Sequence, residues 1–429
     1  MKIAILGGGF TGLTAAYYLT KEGHQVTVME KEKVLGGLAA GFKGNDWNWH
    51  LERAYHHLFA SDHDILNFAK EIGFNGIYFS KPITSSLFIV NKKLLSYPLD
   101  TPLDLLKFPL LGLVDKFRAG TVILFLKLSP FLPMYQKMTS EEFLKKSMGI
   151  NVWNRLWKQL FRGKFGIYVG IISSSFIWAR INKRTKALGY INGGFQSFIN
   201  FIENRLRSLW VTVLTGCEIK RITKQGGKFK IDCHSREGGN PEDNKYDVVI
   251  STLPTPVLSK LTSNIFSKEY LSHFNKLKYL HAITLILETD NPILDQTYWL
   301  NICTEKIPFM ILAQHTNFSD KKNYNNHHLA YVGWYVDRDS KLLKMDKNEI
   351  LKLVNPSLII LNSKFLILNS FLFKAPFAQP IFDQNFVKNM PTFKTPNKNF
   401  FIANLDMTYP YDRGTNYAVK LGKQVSELI

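Results

Sequence analysis

The sequence predicts an α/β fold built on a parallel sheet, with a second region of mixed helix and strand inserted into it. Three observations carry this prediction. A strand, a glycine-rich turn, a helix and a second strand follow one another at the start of the chain. The stretch 81–185 reads as mostly helical, punctuated by Pro98, Pro102, Pro109 and Pro130. Strand-like runs then recur in 263–384, at Ile283–Leu287, Phe309–Leu312 and Leu329–Tyr335. At 429 residues the chain has room for two domains.

Lys2–Leu6 is a short apolar run of the kind that forms a strand buried on both faces. Gly7-Gly8-Gly9-Phe10-Thr11-Gly12 follows and fits G-x-G-x-x-G at Gly7, Gly9 and Gly12. Leu13, Ala16, Tyr17 and Leu19 recur at helical spacing until Gly23, and Gln25–Met29 reads as the second strand, ending at Glu30. This is a dinucleotide-binding opening of the Rossmann type. The glycines give a tight turn, close approach to a pyrophosphate and close helix–strand packing; the helix N-terminus offers N–H groups to phosphates. The Glu30 carboxylate accepts from a ribose diol and repels a 2′-phosphate, so the predicted ligand contains an ADP moiety, as FAD and NAD do.

Gly36-Gly37, in Lys31–Ala39 just beyond Glu30, lets a second loop lie against the ligand where side chains would clash. This opening resembles the flavin amine oxidase superfamily, which includes protoporphyrinogen oxidases and phytoene desaturases. The resemblance continues through Tyr190–Gln196, the run Val211–Ile222, Tyr246–Pro254, Asn399–Asn404 and Asp412–Val419. Tyr55–Phe59 and the chain's ending look most like a bacterial protoporphyrinogen oxidase-like branch. The resemblance implies a glutathione-reductase-type FAD-binding domain made of 1–80, 186–262 and 385–429. The α+β substrate domain is then 81–185 and 263–384. It implies FAD as cofactor, with contacts at Gly7, Gly9, Phe10, Thr11, Gly12, Glu30, Lys31, Gly36, Gly37, Leu38, Ile219, Asn404, Gly414, Thr415 and Asn416. One departure stands out: many relatives carry Gly-Asp or Gly-Glu where this chain has Asn404-Leu405. The ribityl or pyrophosphate contact then falls to Asn404, Asp406 or backbone, or is absent.

Composition narrows the alternatives. Cys217, Cys233 and Cys303 have no disulfide-framework or metal-site spacing, which suggests a reducing, cytoplasmic setting. The first apolar run is needed as a strand, so a signal peptide is not expected. The histidines show no H-x-x-x-H with a partnering acid, and no metal is expected. A net charge of +20 is scattered along the chain and no nucleic-acid motif accompanies it, so a solvated basic surface is the expectation. Peripheral contact with an anionic membrane, at the inner membrane face, is the alternative. Residues 103–133 are rich in Leu, Phe and Pro, but charges interrupt them, so no spanning helix is predicted and core packing is expected. His234–Pro241 reads as a tolerated surface loop.

The chemistry follows from the cofactor. Arg413, beside the N-terminus of a helix from Tyr417 to Leu428, is placed to balance negative charge on a reduced flavin. Thr415 or Asn416 is an N-cap, a flavin contact, or both. His56 and His57 are either a base or hydrogen-bonding partners of flavin or substrate, or a buried structural pair. His315 and the pair Tyr298-Trp299 are pocket-lining candidates, with core packing the expectation for the pair. The predicted activity is FAD-dependent oxidation of a C–N or C–C bond in a small, largely apolar molecule, with oxygen, a quinone or another acceptor reoxidising the flavin. The alternative is a redox-neutral flavoenzyme similar to UDP-galactopyranose mutase, acting on a nucleotide sugar; a non-enzymatic cofactor-binding scaffold is the third reading.

Overall fold

The computed structural model describes residues 1–235 and 244–429. Most of the predicted loop His234–Pro241 therefore lies outside the described residues.

Strand β1 (Lys2–Leu6) occupies the middle of a five-stranded parallel sheet. Its order is Thr212–Leu214, then β2 (Gln25–Met29), β1, Val248–Ser251 and Phe400–Ile402. Ile3, Ala4, Ile5 and Leu6 are fully buried, because helices or loops cover both faces of a central parallel strand. Between β1 and β2 runs helix α1 (Phe10–Lys21). Chain segments near residues 1–30, 212, 250 and 400 thus meet in one sheet, with the register Ile5↔Val28 on one side and Ile5↔Ile250 on the other. The final helix, Thr415–Ser426, lies across α1. Gly422 makes that approach possible, since a Cβ there would stand 2.5 Å from the Thr11 carbonyl oxygen.

A seven-stranded mixed sheet forms the second layer. Its order is Ile367–Pro380, Tyr279–Thr289, His328–Val336, Ile311–Gln314, Thr297–Ile302, Ile83–Val90 and Lys93–Tyr97. The mixed sheet expected in 263–384 is present, and it also recruits a hairpin from the stretch read as mostly helical. Ile83–Val90 pairs in parallel with Thr297–Ile302, and Asn91 and Lys92 turn the hairpin with φ of 49° and 65°. A two-residue turn with both φ positive matches the right-handed twist of its strands.

Helices fill 102–183. Thr101 and Thr139 each open one with a reciprocal capping box. Here one expectation holds only in part: Leu105, Phe108, Leu111, Ala119 and Leu126 of the stretch 103–133 pack into the core, but a whole apolar stripe does not. On the surface helix Leu113–Leu128 only Ala119 and Leu126 are buried, while Leu113, Val114, Phe117 and Leu128 are 74–81% exposed. The reason is how the helix is tethered. Lys116 Nζ donates to the Leu106 carbonyl at 2.6 Å, Arg118 to Ser147 and Lys146, and Lys127 to Asn182 and Arg184. These cationic side chains tie the flanks of the helix to carbonyls of neighbouring segments, and the apolar stripe is turned to solvent. Among the described residues no helix is long and apolar enough to cross a membrane.

Candidate functional site

Gly7 leaves β1 with φ of 108°, where a Cβ would stand 2.4 Å from Thr252 Oγ1. Gly12 is required one turn into α1, where a Cβ would lie 2.1 Å from the Gly7 carbonyl oxygen. Gly9 differs from both. It is the N-cap of α1, and a Cβ there would meet only the Gly37 Cα, at 3.9 Å. The space above Gly9 is open, and no side chain caps the helix, so its first-turn N–H groups face that space. Phe10 and Thr11 are both buried, Phe10 packing against Phe198.

The second glycine pair closes over this turn. Gly36 N–H donates to the Gly8 carbonyl at 2.8 Å, and the two loops touch at Gly37 and Gly9. Gly36 and Gly37 have φ of 123° and 56°, so each needs glycine for its backbone as well as for space. Leu38 is partly exposed and Lys31 lies on the surface, 3.9 Å from Glu32. Glu30 is 7% exposed. Its Oε2 accepts from Gly8 N–H at 2.8 Å and its Oε1 from Glu32 N–H at 2.9 Å, which fixes the carboxylate at the mouth of the turn. Each oxygen keeps a lone pair for another donor. Gly216 and Cys217 run alongside, donating to the carbonyls of Glu32 and Glu30. Ile219 stands just beyond, next to an irregularity in its strand pairing. An open position over Gly9, an uncapped helix and a buried acid together fit the pyrophosphate and ribose of an adenine dinucleotide.

At the other end of the cleft some predicted residues are already committed. Asn404 Nδ2 donates to the Leu253 carbonyl and to Thr255 Oγ1, and its Oδ1 accepts from Asp406 N–H. Asp406 accepts from Thr255 and from Tyr279 OH, and burial lifts its carboxyl to about 6. Asn416 is likewise engaged: Oδ1 accepts from Ile65 N–H and Nδ2 donates to Asp64, anchoring the helix His63–Ile72. Gly414 is the N-cap of the final helix and no side chain caps it. Thr415 is buried at its first position.

Between the two sheets stands a cluster of aromatic and charged side chains. Tyr55 meets Trp299 edge-on at 4.9 Å and Tyr331 at 6.0 Å, lying where Gly333 leaves room for its ring. His56 Nδ1 lies 2.7 Å from the Ala54 carbonyl, and His57 Nδ1 lies 3.4 Å from Tyr298 OH. Burial drives His56 down to about 4 and His57 to about 3, the latter helped by the charges of His56, Arg184 and Arg180. Both are neutral at pH 7 and too weak to serve as general bases there. They suit hydrogen bonding. Tyr298 is buried in the core, as expected, and Trp299 is partly open. His315 is buried against Tyr324 OH at 2.9 Å, so it supports the site without lining it.

Arg413 sits 4.8 Å over the Tyr335 ring and donates to the Ala378 carbonyl at 2.7 Å. Beside it Asp412 pairs with Lys164 at 2.5 Å. Burial pushes Asp412 up, but the charge and hydrogen bond of Lys164, with Arg180, outweigh it and hold the carboxyl below its usual value. Burial brings Lys164 down to about 8 against the pull of Asp412. Lys164 and Arg180 were not singled out from sequence, being isolated in the chain; Asp412 was named only as the first residue of the run Asp412–Val419. Glu52 was missed as well. It is fully buried, accepts from Phe195 N–H at 2.6 Å and Tyr190 OH at 2.8 Å, and burial lifts it to about 7. Among the described residues no group of histidine, cysteine and acidic side chains is arranged to hold a metal.

Comparison with known proteins places this geometry. Residues 10–359 match the profile of the flavin containing amine oxidoreductases. A 15-cis-phytoene desaturase of Synechococcus elongatus is 39% identical over 72 residues, which is 17% of this chain and 15% of that protein. A candidate protoporphyrinogen oxidase from Exiguobacterium superposes with a TM-score of 0.75 over 100% of this chain and 98% of its own, at 16% identity. A reduced UDP-galactopyranose mutase superposes with a TM-score of 0.74 over 99% of this chain and 94% of its own, also at 16% identity. These structural likenesses are likenesses of fold.

Proposed function

The chain belongs to the flavin-containing amine oxidoreductase family and is an FAD-dependent oxidoreductase, and from that premise we propose that it oxidises a C–N or C–C bond of a small, largely apolar molecule. The observation that carries the reading is the aromatic wall of Tyr55, Trp299 and Tyr331, set beside the segment that leads from the glycine loops. FAD, when bound, supplies the two-electron acceptor. The open position over Gly9 and the N-terminus of α1 hold its pyrophosphate, and Glu30 its ribose. The uncapped N-terminus of Thr415–Ser426 and the Arg413 cation offset negative charge at the far end. Neutral His56 and His57 donate or accept hydrogen bonds and do not remove protons. Anaerobic addition of amines and unsaturated hydrocarbons to the FAD-loaded enzyme tests this: a substrate must bleach the oxidised flavin. A second reading, redox-neutral action on a nucleotide sugar, is favoured by the cations Lys164, Arg180 and Arg413. It predicts no bleaching, and turnover only after reduction with dithionite.

The surface helix adds a location to this reading. We propose that the enzyme docks on anionic bilayers through Leu113, Phe117, Leu124 and Leu128. These lie on one face of the helix beside an open groove of about 470 Å³ lined by Leu124, Phe125, Leu128 and Leu132. Lys107, Arg118 and Lys127 are exposed around this face, and Arg118 and Lys127 meet carbonyls, so their charge is not neutralised. Inserting each large apolar side chain contributes on the order of 1.5–3 kcal/mol. Cosedimentation with phosphatidylglycerol vesicles should be strong for the wild type and lost in Phe117→Glu/Leu124→Glu. Equal binding by both proteins, or a wild type that self-associates through this face and ignores vesicles, would remove the proposal.

A further inference from the structure

The Asp412 carboxylate joins three stretches of chain that are far apart in sequence. Lys164, on the helix Lys158–Phe165, holds its Nζ 2.5 Å from Asp412 Oδ2. The other oxygen, Oδ1, accepts from the Arg413 backbone N–H at 3.1 Å and from Nε2 of buried Gln379 at 3.3 Å. Gln379 belongs to the edge strand Ile367–Pro380. The Arg413 guanidinium is turned elsewhere, to the Ala378 carbonyl at 2.7 Å and over the Tyr335 ring at 4.8 Å. Lys164 Nζ lies 5.9 Å from the centre of that same ring and 4.9 Å from that of Phe176. Ammonium, carboxylate and guanidinium thus form one cluster around Tyr335.

The pairing within this cluster is selective. Asp412 and Arg413 are neighbours in the chain, yet the acid is paired with Lys164 and not with Arg413. Among the described residues the Arg413 guanidinium has only a neutral carbonyl and an aromatic ring as partners. With Lys164 and Asp412 cancelling, the charge left over is that of Arg413, just ahead of the uncapped N-terminus of Thr415–Ser426. Without the ammonium, the carboxylate would be unbalanced one residue from Arg413, and the net positive charge of the cluster would vanish.

We propose that Lys164 is a positioning residue: it keeps Asp412 turned to itself, so that the Arg413 cation at the start of the last helix stays unneutralised and raises the potential of the bound flavin. Lys164 acts through Asp412 and needs no contact of its own with the cofactor. This rests on the reading in which Arg413 offsets negative charge on FAD, and it holds whichever substrate the enzyme takes.

The test is the two-electron midpoint potential of the FAD-loaded enzyme at pH 7, where Lys164, brought down to about 8 by burial, is still largely charged. Lys164→Met should weaken the binding of reduced relative to oxidised FAD about tenfold, a fall of about 30 mV. Lys164→Arg keeps the charge and should stay near wild type. Asp412→Asn removes the acid alone and should raise the potential by a similar amount, which keeps the proposal testable if Lys164→Met fails to fold. The double variant Lys164→Met/Asp412→Asn removes both members of the pair and should return to the wild-type potential, although it has lost more contacts than Lys164→Met. A pair that only fastens the loop predicts the reverse, with the double variant no better than the single one. That result, or a potential unmoved by both Lys164→Met and Asp412→Asn, would overturn the proposal. Arg413→Gln tests the premise separately: if it leaves the potential unchanged, the reading of Arg413 fails and takes the role of Lys164 with it. Failure of the wild type to take up FAD would overturn the flavin reading itself.

Discussion

Replacing Glu30 by Gln tests the ribose site and separates two roles that the structure gives one carboxylate. Both oxygens are used by backbone donors, Gly8 N–H at 2.8 Å and Glu32 N–H at 2.9 Å, in a side chain only 7% exposed. Gln retains one acceptor oxygen and sets an NH2 group against the other N–H. Losing that bond at a buried position costs about 1–3 kcal/mol of apoprotein stability. Losing the charged acceptor toward a ribose diol costs on the order of 1.5–3 kcal/mol of binding, a fall of about ten- to a hundredfold in FAD affinity. Glu32→Gln is the control: that side chain is half exposed and stands 3.9 Å from Lys31 and Arg53, so its loss should be worth less than about 0.5 kcal/mol. Urea unfolding of the apoproteins gives the first quantity, and flavin fluorescence quenching gives the second. If Glu30→Gln lowers stability yet binds FAD as tightly as wild type, Glu30 is only a staple of the turn, and the ribose is held elsewhere.

Three further outcomes are expected. Gly12→Ala puts a Cβ 2.1 Å from the Gly7 carbonyl, so the turn must move; FAD uptake should be abolished, and unfolding should show a loss of roughly 1–3 kcal/mol. Gly422→Ala forces the final helix off α1 at Thr11 and should cost a similar amount, with weaker flavin binding as a secondary effect. Glu52 has a folded-state pKa near 7, above its unfolded value, so the native state keeps a proton that the unfolded chain has already lost. Stability should therefore fall as pH rises from the ordinary carboxyl range to about 7, by up to about 3 kcal/mol. Glu52→Gln should flatten that dependence in denaturation curves at about pH 5 and about pH 8; an unchanged slope would rule Glu52 out as its source.

The cofactor end of the molecule was legible because its signal is local. A turn that needs glycine at Gly7 and Gly12, the apolar strand residues Ile3–Leu6 and an acid at Glu30 all fall within thirty residues, and each has a steric or electrostatic reason for its position. The cluster of Tyr55, Lys164, Trp299 and Arg413 is brought together only by folding, so no spacing in the chain announces it. Asn416 shows another limit. Its place at a helix start fits a cap or a ligand contact equally well, and the structure uses it to tie down a different helix. The surface helix shows a third: Leu113, Phe117, Leu124 and Leu128 repeat at the helical period whichever way the stripe faces. The tethering of Lys116, Arg118 and Lys127 to neighbouring carbonyls decided it.

The order of strands in the parallel sheet bears on how the protein is made. Val248–Ser251 is flanked by β1, translated well before it, and by Phe400–Ile402, translated well after it, and α1 rests on the helix Thr415–Ser426. While the ribosome is still at work, the glycine turn lacks the layer that holds it in shape. A nascent chain can settle its local hairpins, but the flavin has no finished seat until residues past 415 have emerged. Cofactor capture is thus a late event of biogenesis.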